Sequence, residues 1–173
     1  MFYRGRWFIR HLVYKVLFKK LAGIGYLGKP IFCKGLKGVS IDSNFRLFPG
    51  SRIECLKNGR ILVGKNVSIG QSLFIQTSSS ITIGNNVSMS ANIFIGTTDY
   101  RINPYDGSSF LMQEEFEQAV TIESGVFIGH GAVILPGTHL SEGCVVGANS
   151  VVKGRFERDT IIAGVPAKTI RRR

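Results

Sequence analysis

Residues 122–157 read IESGVFIGHGAVILPGTHLSEGCVVGANSVVKGRFE, and an aliphatic residue recurs in them at every sixth position. The recurring residues are Ile122, Ile128, Ile134, Leu140, Val146 and Val152. A second set of small, polar or apolar residues follows four places after each of them, at Val126, Ala132, Thr138, Cys144, Ser150 and Phe156. A period of six fits neither the 3.6-residue period of an amphipathic helix nor the two-residue alternation of a half-buried strand. It indicates an internal repeat in which each unit is one short strand and one tight corner.

The same phase runs through the preceding chain. It groups into five blocks of eighteen residues, which cover 41–58, 63–80, 83–100, 122–139 and 140–157. Three interruptions, 59–62, 81–82 and 101–121, all fall between blocks. We therefore expect every insertion to leave the repeat at the same corner.

This regularity predicts a triangular parallel β-helix in which each block is one coil and the inward aliphatic residues stack into a continuous core. Glycine takes the second place of several hexads, as at Gly129 and Gly147, where a side chain would crowd the bend. The pattern leaves open a set of irregular antiparallel strands with glycine-rich turns. The expected fold class is all-β, with about five coils over 31–173, an N-terminal segment over 1–30, and one long loop, 101–121, between coils three and four.

Two motifs in the C-terminal part carry a resemblance to a known family. IGHGAVILPG, residues 128–137, and AGVPAK, residues 163–168, resemble the hexapeptide-repeat acyltransferases, which have a left-handed β-helix. Within that family the chain is similar to the sugar O-acetyltransferases of bacterial surface-polysaccharide biosynthesis and to the maltose and galactoside acetyltransferases. The resemblance covers roughly residues 40–173 and implies a left-handed helix, a homotrimer, acetyl-coenzyme A as acyl donor, and active sites between subunits.

Composition limits the partners and the compartment. The chain has 173 residues, room for one domain, and a formal charge of +11, which points to anionic partners. Nucleic acid, phospholipid headgroups and a phosphorylated cofactor would all qualify, and the resemblance favours the cofactor over nucleic acid. The three cysteines, Cys33, Cys55 and Cys144, are widely spaced, which predicts a reducing cytoplasm without disulfides. Without a CxxC motif a zinc site has no support, and no metal is expected.

The N-terminal residues 1–21, MFYRGRWFIRHLVYKVLFKKL, combine large apolar residues with six Lys and Arg and no acid. Such frequent charges exclude a membrane span, and the stretch lacks the uncharged core of a signal peptide. On a helix, Arg4, His11, Lys15 and Lys19 would share one side. Two interpretations stay open and are compatible: a basic amphipathic helix lying peripherally on an anionic membrane, or a helix that packs on the end of the β-helix. Residues 23–30, GIGYLGKP, are interpreted as a glycine-rich linker.

The start of the long loop departs from the family pattern. Related enzymes read something like G-S-H-D-Y there, and their histidine is the general base on the acceptor hydroxyl. This chain has Gly96-Thr97-Thr98-Asp99-Tyr100, so Thr98 stands at the catalytic position although a threonine cannot take the proton. The loop also holds Glu114, Glu115 and Glu117, and the resemblance implies that it reaches the substrate site of the neighbouring subunit.

Three explanations of Thr98 remain open. First, another residue is the base: His130, or Asp99 if a desolvated pocket raises its pKa. His139, expected beside Tyr100, is more often a solvated turn residue. Second, the loop supplies a base that the pattern does not identify. Third, the protein has lost acyl transfer and is a trimeric scaffold or binding protein.

The candidate residues for binding the cofactor and the acceptor come from two sources, equivalent positions in consecutive coils and the resemblance. His130 and Ala148 occupy equivalent places in consecutive coils, so they should stack at one corner, where the family lays the pantetheine arm of coenzyme A. The resemblance assigns cofactor contacts to five residues: His130, Ala148, Lys153, Lys168 and Arg171. It places the acceptor against Asp99, Tyr100 and Tyr105. The expected activity is acetyl transfer from acetyl-coenzyme A to a saccharide hydroxyl, with a surface-polysaccharide precursor or a lipid-linked glycan as acceptor.

Overall fold

The computed structural model describes residues 2–101, 107, 109 and 112–173. Its one α-helix among these is α1 (Phe2–Tyr14). The strands that follow are β1 (Lys20–Leu21), β2 (Gly25–Leu27), β3 (Phe32–Lys34), β4 (Val39–Ile41), β5 (Phe45–Leu47), β6 (Arg52–Cys55), β7 (Arg60–Val63), β8 (Ser68–Ile69), β9 (Phe74–Thr77), β10 (Ser80–Ile83), β11 (Ser88–Met89) and β12 (Phe94–Gly96). After them come β13 (Thr98–Tyr100), β14 (Glu115–Glu117), β15 (Val120–Ile122), β16 (Phe127–Ile128), β17 (Val133–Ile134), β18 (His139–Leu140), β19 (Val145–Val146), β20 (Val151–Val152), β21 (Arg155–Phe156), β22 (Thr160–Gly164) and β23 (Ala167–Arg172). A 3-10 turn, Leu36–Gly38, precedes β4.

All of these strands except β13 and β14 form three sheets that wind around one axis. Sheet A has the order β1-β4-β7-β10-β15-β18-β21, sheet B has β2-β5-β8-β11-β16-β19-β22-β23, and sheet C has β3-β6-β9-β12-β17-β20. Each coil contributes one strand to A, then one to B, then one to C. All pairings in these sheets are parallel except that of β22 with β23, which is antiparallel. The structure is therefore a three-sided parallel β-helix, and the alternative of irregular antiparallel strands is wrong.

The six-residue period is the period of the core. Ile122 pairs with Leu140 in sheet A, Ile128 with Val146 in sheet B, and Ile134 with Val152 in sheet C. All six of these side chains are 0% exposed. Each of them stacks on the residue eighteen positions away, because one turn of the helix is three hexads. The predicted core is confirmed.

The solenoid has about seven coils instead of five. The additional first coil consists of β1, β2 and β3, and the last is made by β21 and β22. Residues 23–30, interpreted as a linker, include β2, which pairs with β5 in register Leu27 to Leu47. The period does extend into this segment, since Leu21 and Leu27 are buried six residues apart. Gly23 and Gly25 lie between them and conceal it.

The insertions leave along one edge, as predicted. Residues 56–59, 78–79 and 97–119 each connect a strand of sheet C to the next strand of sheet A. The other two corners are tight. At Gly129, for example, a Cβ atom would lie 2.6 Å from the backbone nitrogen of Ala148, which explains why the bend requires glycine.

Helix α1 packs on the first coils. Trp7 makes an edge contact with Phe48 at 5.3 Å between ring centroids, and Arg10 donates a hydrogen bond to the Leu27 carbonyl. His11 is 1% exposed, and its Nε2 lies 3.1 Å from the Gly23 carbonyl oxygen. The ring of His11 therefore fills the interface with the β-helix. The expected helical side shared with Lys15 and Lys19 does not form, because α1 ends at Tyr14. Within the described part of the chain, no helix has the length and apolar character needed to cross a bilayer.

Shortening a core residue should test the stacking. Ile134→Ala removes a side chain that is fully buried in sheet C, and we expect it to lower the free energy of unfolding by about 2–5 kcal/mol. Leu62→Ala is the control, because Leu62 is 44% exposed on sheet A and its truncation should change stability by less than about 1 kcal/mol. Denaturant unfolding at one protein concentration measures both. Equal losses would contradict a core organised at the six-residue period.

Candidate active site

A β-hairpin stands at the corner where sheet C meets sheet A. Its strands, β13 and β14, pair antiparallel, with Thr98 opposite Glu117 and Tyr100 opposite Glu115. The hairpin is closed by hydrogen bonds from Gln118 to the Thr97 carbonyl and from Arg101 to the Glu114 carbonyl. The long insertion therefore begins and ends as ordered structure rather than as an unpaired loop.

Glu117 is held at the base of this hairpin by two threonine hydroxyls. Thr97 donates to one carboxylate oxygen at 2.6 Å, and Thr98 donates to the other at 2.8 Å. Thr97 is fully buried, and its hydroxyl also lies 3.0 Å from that of Thr77 in the coil below. Because an ionised carboxylate accepts about four hydrogen bonds, Glu117 keeps acceptor capacity for a further donor. A proton acceptor thus lies directly against the position where the family carries its histidine.

Sequence reasoning did not single out Glu117 from the other acids of the loop. The three glutamates lie close together in the sequence, and only the antiparallel register of β13 with β14 puts one of them opposite Thr98. No periodicity in the sequence encodes that register, because the hairpin lies outside the hexapeptide repeat.

Asp99 forms an ion pair with Lys153. Its Oδ2 lies 2.9 Å from the Lys153 ammonium, and its Oδ1 accepts a hydrogen bond from the Tyr100 backbone N–H at 3.0 Å. The Lys153 hydrogen bond, followed by that from Tyr100, lowers the pKa of the Asp99 carboxyl below its ordinary value. This environment therefore stabilises the charged form of Asp99, in the direction opposite to the raised pKa that the base hypothesis requires.

His130 and Ala148 stack at the corner between sheets B and C, as expected. The register of β16 with β19 aligns them, and the Asn149 backbone N–H donates to the His130 carbonyl at 2.7 Å. The His130 ring is exposed, with its Nε2 at 3.3 Å from Nδ2 of Asn92. Since an amide NH₂ only donates, this contact requires His130 to carry its proton on Nδ1 when neutral.

Within one chain, these two groups of residues do not meet. His130 and Ala148 precede the strands of sheet C, whereas Thr98, Asp99 and Lys153 follow them. The width of sheet C, roughly 15 Å for about five extended residues, lies between the two corners.

His139 does not lie beside Tyr100. It pairs with Thr121 on one side and Arg155 on the other, because the first strand of that coil is β15 and Tyr100 belongs to the hairpin. Its Nε2 lies 2.7 Å from Oε1 of Glu123, and the Arg155 guanidinium lies 3.3 Å from its Nδ1. The His139 hydrogen bond lowers the pKa of the Glu123 carboxyl. Both ring nitrogens are thus occupied by protein groups.

The remaining predicted site residues lie on the C-terminal strand or outside the described structure. Lys168 and Arg171 are exposed on β23, which pairs antiparallel with β22 at the end of sheet B. Tyr105 lies outside the described residues. Within 2–101, 107, 109 and 112–173, no three His, Cys, Asp or Glu side chains are grouped as metal ligands.

Comparison with known proteins places this fold and site in a family. Residues 119–154 match the model described as bacterial transferase hexapeptide (six repeats). The chain is 32% identical over 151 residues to the putative lipopolysaccharide biosynthesis O-acetyl transferase WbbJ of Escherichia coli (strain K12), covering 83% of this chain and 76% of that protein. It is 31% identical over 143 residues to a dTDP-4-amino-4,6-dideoxy-D-glucose acyltransferase of Escherichia coli, covering 83% of this chain and 65% of that one, just under two thirds of its length.

A solved structure shares the fold. It is a variant of AntD, an N-acyltransferase from Bacillus cereus, in complex with dTDP and coenzyme A. The TM-score is 0.81 at 19% sequence identity, over 95% of this chain and 89% of that one. At this identity the likeness concerns the architecture alone.

These findings define the class of protein as the hexapeptide-repeat acyltransferases, which have a left-handed parallel β-helix. The chain belongs to this family, and it is an enzyme of the O-acetyltransferase class. The explanation of Thr98 by loss of catalysis is therefore not supported.

The ion pair at the hairpin should be visible in a titration. Lys153→Gln removes the largest cause of the lowered Asp99 pKa, so this pKa should rise towards the ordinary value of about 3.9. In the unchanged protein, the contribution of Asp99 to stability is present above that ordinary value and is lost as the pH falls through the lowered folded pKa. NMR titration of the carboxyl carbon measures the shift. Lys29→Gln, on the first coil, is the control, and an Asp99 pKa that moves equally in both variants would refute the assigned contact.

Proposed function

We propose that the protein transfers the acetyl group of acetyl-coenzyme A to a hydroxyl of a saccharide in the cytoplasm. The acceptor we propose is a precursor of a surface polysaccharide, carried on a lipid at the inner leaflet. The observation that carries the proposal is the similarity to a lipopolysaccharide O-acetyl transferase over 83% of this chain. The second relative, which acts on a dTDP-linked sugar, supports a glycosyl acceptor.

The functional unit that we propose is a homotrimer. One chain holds the His130 corner and the Glu117 hairpin on opposite sides of sheet C, so a complete site requires the hairpin of one copy to reach the corner of the next. The outer face of sheet C suits such contacts, because it carries a ladder of apolar side chains: Phe74, Phe94, Val133 and Val151. Phe74 and Phe94 already contact each other edge to face, with 5.2 Å between ring centroids. Rotational symmetry would repeat one interface three times.

The donor fits the basic C-terminal strand. Coenzyme A carries phosphates at its nucleotide end, and Lys168 and Arg171 are exposed cations on β23. In sheet B, β23 pairs with β22, and β22 pairs with β19, the strand that precedes Ala148. We assign these two residues to the phosphates. The corner of His130 and Ala148 is assigned to the pantetheine arm, where the absence of a side chain at Gly129 lets the backbones pack closely.

Glu117 is the general base in this proposal. The acceptor hydroxyl gives its proton towards the carboxylate, directly or through the Thr98 hydroxyl, while its oxygen attacks the thioester carbonyl carbon. The carbon–sulfur bond breaks, the proton ends on the sulfur of coenzyme A, and the acetyl ester is released. Asp99 and Tyr100 contact the acceptor, with Tyr105 assigned to the same group, and Lys153 fixes Asp99 through its 2.9 Å ion pair.

The activity is tested with radiolabelled acetyl-coenzyme A and a membrane-derived glycan fraction. We expect labelled acetyl ester on the glycan, and tight binding of coenzyme A in isothermal titration calorimetry. Light scattering reports the mass of the assembly in the same sample. A trimer that binds no coenzyme A and labels no acceptor would overturn the proposed function.

The base is tested by Glu117→Gln, which keeps the size of the side chain but removes the charge that takes the proton. One threonine hydroxyl can still donate to the amide oxygen, and the other can accept from the amide NH₂. We expect kcat to fall by about 10²-fold or more, with little change in melting temperature. Glu114→Gln is the matched control, because Glu114 is an exposed loop acid that pairs with Arg101 at 3.3 Å. If His130→Ala abolished turnover while Glu117→Gln did not, the base would be the imidazole.

A further inference from the structure

The face of α1 that points away from the β-helix is apolar. Trp7 and His11 lie on the side that packs on the coils, whereas Ile9 and Val13, four residues apart on the opposite side, are both 61% exposed. Val16, in the turn that follows α1, is 74% exposed. Neighbouring Leu12 and Leu17 are 51% and 46% exposed. A helix that only caps a solenoid needs polar residues on its outer side, because apolar surface in water is unfavourable. The apolar outer side of α1 therefore indicates that a partner molecule covers it.

Two open grooves extend this face along the N-terminal end of the molecule. One, of about 380 Å³, is lined by Arg6, Ile9, Arg10, Val13 and Tyr14. The other, of about 570 Å³, is lined by Tyr14 and Leu17 and by residues of the first coil that include Ile31, Leu36 and Lys37. Tyr14 lines both grooves. We call the set of Ile9, Val13, Tyr14, Leu17, Ile31 and Leu36 the N-terminal apolar surface.

The charge around this surface is of one sign. Residues 1–41 contain nine of the 22 Lys and Arg of the chain and none of its 11 Asp and Glu. Lys15, Lys19 and Lys37 are exposed close to the apolar residues, and Lys37 donates a hydrogen bond to the Val16 carbonyl at 2.8 Å. A second copy of the same surface would bring these cations against one another, which is unfavourable. A layer of anionic lipid satisfies both features, since it takes apolar side chains below the headgroups and pairs the cations with phosphates.

We propose that the N-terminal apolar surface and its surrounding cations dock the enzyme on an anionic lipid bilayer. The inference deepens the proposed function and rests on it for two points, the trimer and the lipid-linked acceptor. In a rotationally symmetric trimer the three copies of α1 lie at the same end, so all three can contact one bilayer and raise the affinity together. The catalytic hairpin leaves after the fourth coil, which places it roughly 15–20 Å from the first coil at about 4.8 Å per coil. An acceptor glycan that extends from the membrane would reach this height.

Vesicle flotation with the full chain tests the docking. We expect binding to vesicles of about three parts phosphatidylglycerol to seven parts phosphatidylcholine, weak binding to phosphatidylcholine alone, and release as the salt concentration rises. The variant with Val13→Ser and Leu17→Ser should bind the anionic vesicles at least ~10-fold more weakly, because each substitution removes an aliphatic side chain from the bilayer. Leu62→Ser is the matched control, since Leu62 is 44% exposed against 46% for Leu17 but lies on sheet A.

A second variant separates the contribution of charge. Lys15→Glu with Lys19→Glu should abolish the preference for anionic vesicles, whereas Lys65→Glu, on the third coil, should not. Equal binding of the wild-type chain to both vesicle types, or unchanged binding of the serine variant, would overturn the proposal. A serine variant that loses trimer mass in light scattering would also overturn it and would assign the surface to contacts between copies. Flotation needs neither acetyl-coenzyme A nor a glycan, so its result is independent of the transfer assay.

Discussion

Burial of one aliphatic side chain at every sixth residue holds this solenoid together. A single coil has strands of two to five residues and cannot enclose its own apolar side chains, so each coil is stable only on its neighbours. Stacking requires Ile122, Leu140 and their equivalents to lie directly above one another, and between these two residues an uninterrupted turn is eighteen residues long. An extra residue inside a coil would move the following inward positions to the outside. Insertions are therefore confined to a corner, where they leave the register intact.

The confinement of insertions to one corner decides where the candidate active-site residues lie. The corner between sheets C and A accepts insertions, and it carries the hairpin with Thr98 and Glu117. The tight corner between sheets B and C carries His130 and Ala148. Because sheet C separates the two corners within one chain, the proposed active site requires residues from more than one copy.

The acidic and basic residues of this protein are unevenly distributed. Glu117 is held by Thr97 and Thr98, and Asp99 is neutralised by Lys153. The N-terminal residues have no acids at all, and their cations surround an apolar helix face. The charge distribution thus separates the molecule into an end suited to an anionic surface and a corner suited to proton transfer. In the proposed mechanism, the carboxylate beside Thr98 takes the role that the resemblance gives to a histidine.

The sequence by itself determined the repeat, the parallel three-sided core, the single edge of insertion and the stacking of His130 on Ala148, because all of these depend on a fixed spacing of side chains. It also carried the family, through IGHGAVILPG and AGVPAK. Only the tertiary structure decided the first coil, whose period is concealed by glycine, and the inward position of His11. It likewise decided that Glu117 faces Thr98, that Asp99 is an ion-pair partner and that His139 pairs with Glu123. These contacts join segments outside the period or side chains on outer faces, where six-residue spacing imposes no partner, and so they depend on the folded chain alone.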